Sequence, residues 1–398
     1  MAAIIELHVL RTLGVSSLNR GENGEVKTTI VGDIARSRIS SQAMKAPIRE
    51  EFGQTLRTRV LISNYLVPKC KDEHPELEKD FEVIAKILLE QKDQIMAYSV
   101  EEVNTIYDFI IQMSEEDKEL LLCGNESKNK LSKTEKERFE TIKAELKSNL
   151  TKAVRQSDVS LDVAIFGRMS TDGPLYTIPS AVHINHAYSI DQHHNEEDFF
   201  TAFDNLKKES AHLNASEFTS ATMYSYMNID PVQVYRNLML PAEDRGLTPE
   251  EYEKVSAQKK ELAIEGVVKA TELMLQVLPS GKQNAMASYP MPSMIYATID
   301  NHTYPCTLDP CFNRIVRSYN DRSVVATGTE RIMNYVAETV DPKEYRAFFL
   351  DTNLKEELDT STIQAAKDDN IVVDGMRQKS KLFEEIRKKA SEMIELQK

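Results

Sequence analysis

The sequence predicts an α+β fold of ferredoxin-like βαββαβ order carrying a large helical insertion, and three observations predict it. A period-two strand opens the chain, a helical tract runs from about Leu56 to Ala153, and strand-like segments return beyond Ser160. Counted in order, the core elements run strand, helix, insertion, strand, strand, helix, strand.

Ala3 to Leu10 reads AIIELHVL, and the alternation of Ile5, Leu7 and Val9 marks a strand with one buried face. A loop rich in Gly, Asn and Ser follows. Then Met44, Ile48 and Phe52 repeat at helical spacing behind Ser40 or Ser41 as N-cap, with Pro47 predicting a kink or a later start. FEVIAKILLEQ, VEEVNTIYDFIIQM and TEKERFETIKAELKSNLTKAV carry the i, i+3, i+4 signature of amphipathic helices. Leu161 to Met169 and Pro179 to Ile190 read as strands. Thr248, Pro249 and Glu251 form a capping box at the head of the strongest helix, and NAMASYPMPSMIYATI supplies a further strand, its prolines suiting an edge or bulge.

The net charge of −14 is unevenly placed. Lys71 to Leu150 holds 20 acidic and 12 basic residues, a local balance of −8, whereas Ile34 to Arg49 holds four basic residues and no acid. A local patch of that kind suffices to neutralise phosphates. No run approaches the roughly 20 apolar residues that span a bilayer, so no membrane partner is expected, and a cytoplasmic protein is. The four cysteines predict free thiols, and no cofactor or metal is expected. His183 and His186 point to opposite faces of a strand, and no thiol or carboxylate spacing completes a site with them or with His193 and His194.

Candidate nucleic-acid contacts cluster near the first helix. Arg36, Arg38, Ser40, Ser41, Gln42, Lys45 and Arg49 combine charge, neutral donors and a helix N-terminus, which favours phosphate. Asn19, Arg20 and Lys27 lie in the preceding loop. Arg168, with no acid within three residues, ends a predicted strand beside Met169. Phe218 stands in a segment, Leu206 to Ile229, that suits a hairpin and offers an aromatic for stacking.

Six blocks sharpen this reading: Leu18-Asn19-Arg20, Arg38-Ile39-Ser40-Ser41-Gln42 with Lys45, Asp162 to Met169, Ala211-His212-Leu213 through Ser220, Tyr224 to Ile229, and Pro279-Ser280-Gly281-Lys282-Gln283. In this order and spacing the chain resembles the CasC (Cse-type) family, the guide-RNA-binding backbone subunit of type I-E Cascade. The resemblance runs to about residue 300. It implies an RRM-like palm (residues 1–56, 155–205 and 230–398, the last including C-terminal helices), helical fingers (57–154) and a thumb hairpin (206–229). It adds Lys282 and Gln283 to the RNA contacts. The partners it implies are a CRISPR guide RNA, further copies of the chain, other Cascade subunits, and target DNA paired to the guide, with sequence read by the guide rather than the protein.

The resemblance implies no catalytic residue, and no GxSxG, HExxH, Walker A or GxGxxG motif occurs. The alternatives are a CRISPR RNA endonuclease, for which His8 and His212 are the isolated acid–base candidates, or a backbone subunit of another CRISPR subtype. Incubation of the pure protein with a repeat RNA should protect that RNA without cutting it; discrete cleavage products would identify a nuclease.

Overall fold

The computed structural model describes the chain except at positions 1, 54, 90–94, 127–132, 171–172, 205, 207–208, 320 and 397–398, with backbone alone at 2, 125–126, 133, 135, 200–204, 209–214 and 302–303. It divides into two compact units. One comprises Met1–Glu51, Val182–Val232 and Ile264–Lys398; the other comprises Phe52–Ala181 and Gln233–Ala263.

The strands in chain order are β1 (Ala2–Ser16), β2 (Thr28–Val31), β3 (Ile34–Ile39), β4 (Thr55–Thr58), β5 (Met96–Ser99), β6 (Val182–Ile184), β7 (Ala187–Ser189), β8 (Glu196–Asp204), β9 (Glu209–Ile229), β10 (Met294–Thr303), β11 (Tyr345–Leu350) and β12 (Val372–Gly375). In the first unit a mixed sheet runs β12-β11-β10-β1-β9-β7-β3-β2, with β6 and β8 also paired to β9. Each pair is antiparallel except β11 with β12.

The alternation in β1 predicts one buried face, but both are buried. Ile5, Leu7 and Val9 lie on one, while Glu6 and His8, each 1% exposed, lie on the other. Register explains how polar residues survive there. His8 sits between Tyr226 and Tyr296, and Glu6 between Asn228 and Thr298, so one row of polar and aromatic side chains crosses three strands. The helix Val324–Thr339 covers this face, its Ile332, Met333 and Val336 joining Leu10, Tyr224, Tyr296, Phe312 and Phe348 in one cluster.

Burial demands hydrogen-bond partners for the polar groups of that row, and Glu6 and His8 both have them. Glu6 accepts from the Tyr226 hydroxyl at 2.7 Å, Thr298 Oγ1 at 2.9 Å and the Cys306 amide at 2.8 Å, and pairs with Lys343, whose side chain is 4% exposed. The Tyr224 hydroxyl accepts from the Leu308 amide at 2.9 Å and shares a second hydrogen bond with His8 Nδ1 at 3.0 Å. The Tyr296 hydroxyl is the exception in the row, buried with no partner among the described residues. Burial, partly opposed by Glu6, pushes the His8 pKa down to about 4, so its imidazole is neutral at pH 7 and Lys343 supplies the positive charge beside Glu6.

In the second unit β4 and β5 pair antiparallel. The helices Glu78–Leu89, Val100–Ile111, Glu115–Glu126 and Lys133–Arg155 enclose a separate apolar cluster that includes Phe81, Val103, Ile106, Phe139 and Leu150. The helical tract predicted from Leu56 therefore opens on a strand.

Three further expectations change. Leu161 to Met169 is not a strand: Leu161–Phe166 is a helix. A short apolar run fits either period, and the decisive signals are Ser160 at the N-cap position and Gly167 at φ +74°, where a Cβ would lie 2.7 Å from the Ile178 carbonyl oxygen. The first helix, α1 (Ser41–Glu50), starts ahead of Pro47 rather than at it. Leu206 to Ile229 is not a self-contained hairpin. From Ala221 onward β9 is a central strand paired to β1, and the hairpin is formed earlier, by β8 and the first half of β9.

His8 makes a test of this core. Unfolded, its imidazole returns to the ordinary value near 6.5; folded, it stays neutral down to about 4. As pH falls through that window the unfolded chain binds a proton that the native chain refuses, and stability drops by about 3 kcal/mol in all. Denaturant midpoints measured from pH 7 to 4 should fall less steeply in His8→Phe than in the natural protein; identical slopes would show that His8 is not the titrating group.

Candidate nucleic-acid interface

The Ser40 side chain caps α1, its Oγ accepting from the Ala43 amide at 3.3 Å. Asn19 Oδ1 accepts from the Ser40 amide at 2.9 Å, and His186 Nδ1 accepts from the Ser41 amide at 3.1 Å. The N-terminal amides expected to await a phosphate are thus largely taken by the protein, and Asn19 and Ser40 act as positioning groups. The backbone continues the tie: Lys27 N–H donates to the Asn19 carbonyl at 3.1 Å, and Arg38 N–H to the Lys27 carbonyl at 2.7 Å. One hydrogen-bonded chain therefore joins Asn19, Lys27, Arg38, Ser40 and Ser41.

Cations ride on that frame. Arg20 is exposed and Lys27 half-buried. Arg38 is half-buried, its Nε donating to the Thr28 carbonyl at 3.3 Å and one terminal nitrogen lying 3.4 Å from His186 Nδ1. Gln42 is exposed in the first turn of α1. Lys45 and Arg49 follow one turn apart, both half-buried. Burial, reinforced by the charge of Arg49, holds the Lys45 ammonium below the usual lysine range, and among the described residues no carboxylate pairs with Lys45. A lysine held beside a like charge, with no carboxylate of its own, is a place where an anion is welcome.

The Pro279–Gln283 segment reaches the same strand end. A Cβ on Gly281 would lie 2.3 Å from the Leu18 carbonyl oxygen, so only glycine permits this approach. Lys282, half-buried, follows at φ +54°. Such a left-handed non-glycine residue costs about 1–3 kcal/mol and persists where its surroundings hold it.

Three expected contacts face inward and are corrected. Arg36 is 0% exposed; its guanidinium donates to the carbonyls of Ser189 and Ile190, to that of Asp191 at 3.4 Å and to that of Phe312 at 3.2 Å, bracing β3 from within. Arg168 is bidentate to Glu102 at 2.7 and 2.8 Å, with both side chains 2% exposed, and also donates to the carbonyls of Ala97 and Tyr176. Gln283 is buried, its amide closing a ring with Ser288 N–H and C=O, both at 2.8 Å.

Met169 is 80% exposed in the second unit. Phe218 is half-buried at the root of the β8–β9 hairpin, opposite Glu196. Among the described side chains of that hairpin the exposed aromatic is Phe199, 65% exposed opposite Ala215 and absent from the candidates that the sequence suggests. The adjacent pair Phe199-Phe200 is the signal that could have found it, since neighbours in a strand stand on opposite faces. His8 is fully enclosed and so unavailable as an acid or base for a substrate; the His212 side chain lies outside the described residues. Among the described residues no group of three or more metal-ligating side chains occurs, and no helix is long and apolar enough to cross a membrane.

A family model, Cas_CT1975, described as CT1975-like protein, matches residues 5–376. The chain belongs to this family. Among curated proteins nothing matches. Among solved structures, a chain of a "CRISPR RNA-guided surveillance complex, pre-nicking" is similar at TM-score 0.67 and 21% identity, over 87% of this chain and 92% of that one. A chain of a "CRISPR RNA-guided surveillance complex" is similar at TM-score 0.50 and 19% identity, over 87% and 88%. At these identities the likeness establishes a shared fold across nearly the whole chain.

Arg168 offers a clean discrimination. Arg168→Met leaves Glu102 buried without its partner and should cost about 3–5 kcal/mol of stability, while binding to single-stranded RNA, measured on the folded fraction, should equal that of the natural protein. A stable variant with weakened RNA binding would return Arg168 to the interface.

Proposed function

We propose that this chain is the backbone subunit of a CRISPR surveillance complex of the Cascade kind, in its type I-E form. In this reading it binds the guide RNA along its phosphates, assembles in several copies with other subunits, leaves bases open to pair with target DNA, and catalyses nothing itself. The observation that carries the reading is the run of cations Arg20, Lys27, Arg38, Lys45 and Lys282 on a frame tied to one end of β1 and to α1. They belong to a Cas-family chain whose fold is that of chains in RNA-guided complexes.

The order β10-β1-β9-β7 around α1 supports an RRM-like palm, since it is the 4-1-3-2 order of a ferredoxin-like sheet. RRM sheets stack bases on an open face; here the helix Val324–Thr339 occupies that face, so RNA is proposed to follow the cationic edge instead. Neutral donors on Ser41 and Gln42 and flexible cations suit backbone recognition, which carries no sequence information. On the β8–β9 hairpin the exposed side chain of Phe199 is available to part bases, a role that suits it better than the half-buried Phe218.

Charge reversal tests the reading. The double variant Arg38→Glu, Lys45→Glu should weaken single-stranded RNAs of every sequence alike. It should also flatten the plot of log affinity against log salt by about 0.7 for each phosphate no longer neutralised. Weakening confined to some sequences, or an unchanged slope, would overturn backbone recognition at this edge.

A further inference from the structure

Between the Gln283–Met286 turn and β10 runs a loop outside the cationic edge, Ser288 to Ser293, with sequence SYPMPS. It carries exposed side chains yet is firmly held. At its start Ser288 is clasped by both ends of the buried Gln283 amide. At its end Ser293 N–H donates to the Leu10 carbonyl at 3.0 Å, and the Ser293 carbonyl accepts from Asp351 N–H at 2.9 Å. Lys282 and Ala287, on either side of the turn, both sit at positive φ, +54° and +49°. Pro290 and Pro292 bias the residues before them, Tyr289 and Met291, toward extended backbone. Those two residues are 66% and 51% exposed. A pinned, extended loop presenting a large aromatic outward loses little freedom when something docks on it.

The surroundings indicate what docks. Gly281 packs against the Leu18 backbone, from which Asn19 and Arg20 continue, so the segment leading into the loop meets the start of the cationic edge. Lys282, in that same segment, has no carboxylate partner among the described residues. Proteins hold single-stranded nucleic acid without reading its sequence by combining cations that track phosphates with aromatics on which bases stack, and here the chain runs from Lys282 to Tyr289 in seven residues.

We propose that Tyr289 is a base-stacking contact for the single-stranded RNA, continuous with the cationic edge through Lys282. This rests on the reading of that edge as an RNA interface. Stacking releases no counterions, so its signature differs from that of a phosphate contact.

The experiment uses the full chain, a fluorescent single-stranded oligouridine, and the same RNA carrying 5-iodouridine for photocrosslinking. Tyr289→Ala should lower affinity at least about fivefold, the small end of one base–aromatic stack, with the salt slope unchanged. Tyr289→Phe should retain affinity, and the crosslinked peptide should contain Tyr289. Thermal melts should match among the three proteins, because the side chain is exposed. If the natural protein binds RNA with a steep salt slope but Tyr289→Ala binds equally well and no crosslink maps to the loop, the stacking contact is overturned while the cationic edge stands. If the natural protein binds no RNA, both fall.

Discussion

The first unit depends on burying its first strand on both faces. A strand with Ile5, Leu7 and Val9 on one side needs an apolar layer there; one with Glu6 and His8 on the other needs hydrogen bonds and an opposite charge, or it cannot be covered at all. Lys343, the Cys306 and Leu308 amides and the hydroxyls of Tyr224 and Tyr226 meet that need. The Glu6–Lys343 pair therefore joins the beginning of the chain to its last quarter. A buried pair of this kind adds little net stability over an apolar replacement, but removing one partner leaves a charge stranded. Its consequence is architectural: the helix Val324–Thr339 can lie on this face of the sheet.

With that face closed, the surface chemistry moves to the end of β1 and the start of α1. The amides of α1 are largely engaged by Asn19, Ser40 and His186, so the helix end serves as a frame and the charge comes from side chains around it. Arginine appears here in two opposite uses. Arg36 and Arg168 direct their donor-rich guanidinium groups inward, to carbonyls and to a carboxylate, where several fixed acceptors compensate for the water given up. Arg20 and Arg38 keep contact with solvent, where an anion can reach them.

One long strand links the core to the protruding hairpin. From Ala221 to Ile229, β9 lies beside β1 and buries Tyr224, Tyr226 and Met227; before Thr219 it leaves the sheet to pair with β8. A rigid central strand continuing into an exposed ribbon gives the hairpin a firm root, and Phe199 stands out on it.

The α+β class, the first strand, one capping box and the helical insertion were legible because each is written in local periodicity: alternation in AIIELHVL, the Thr248–Glu251 box, three- and four-residue spacing from Phe81 onward. The cluster of basic residues from Arg36 to Arg49 was legible as composition. What composition cannot carry is direction. Arg36 and Arg38 are two apart on one strand, yet the first is sealed against carbonyls more than 150 residues away and the second reaches the surface. Arg168 had no acid nearby in sequence, and its partner Glu102 lies 66 positions earlier. Gln283 reads as a donor for RNA and is a clasp for its own loop. Sequence determined which side chains could carry charge and which elements would form; tertiary structure alone decided which of those side chains face water, because burial is set by partners that the chain brings together from far along its length.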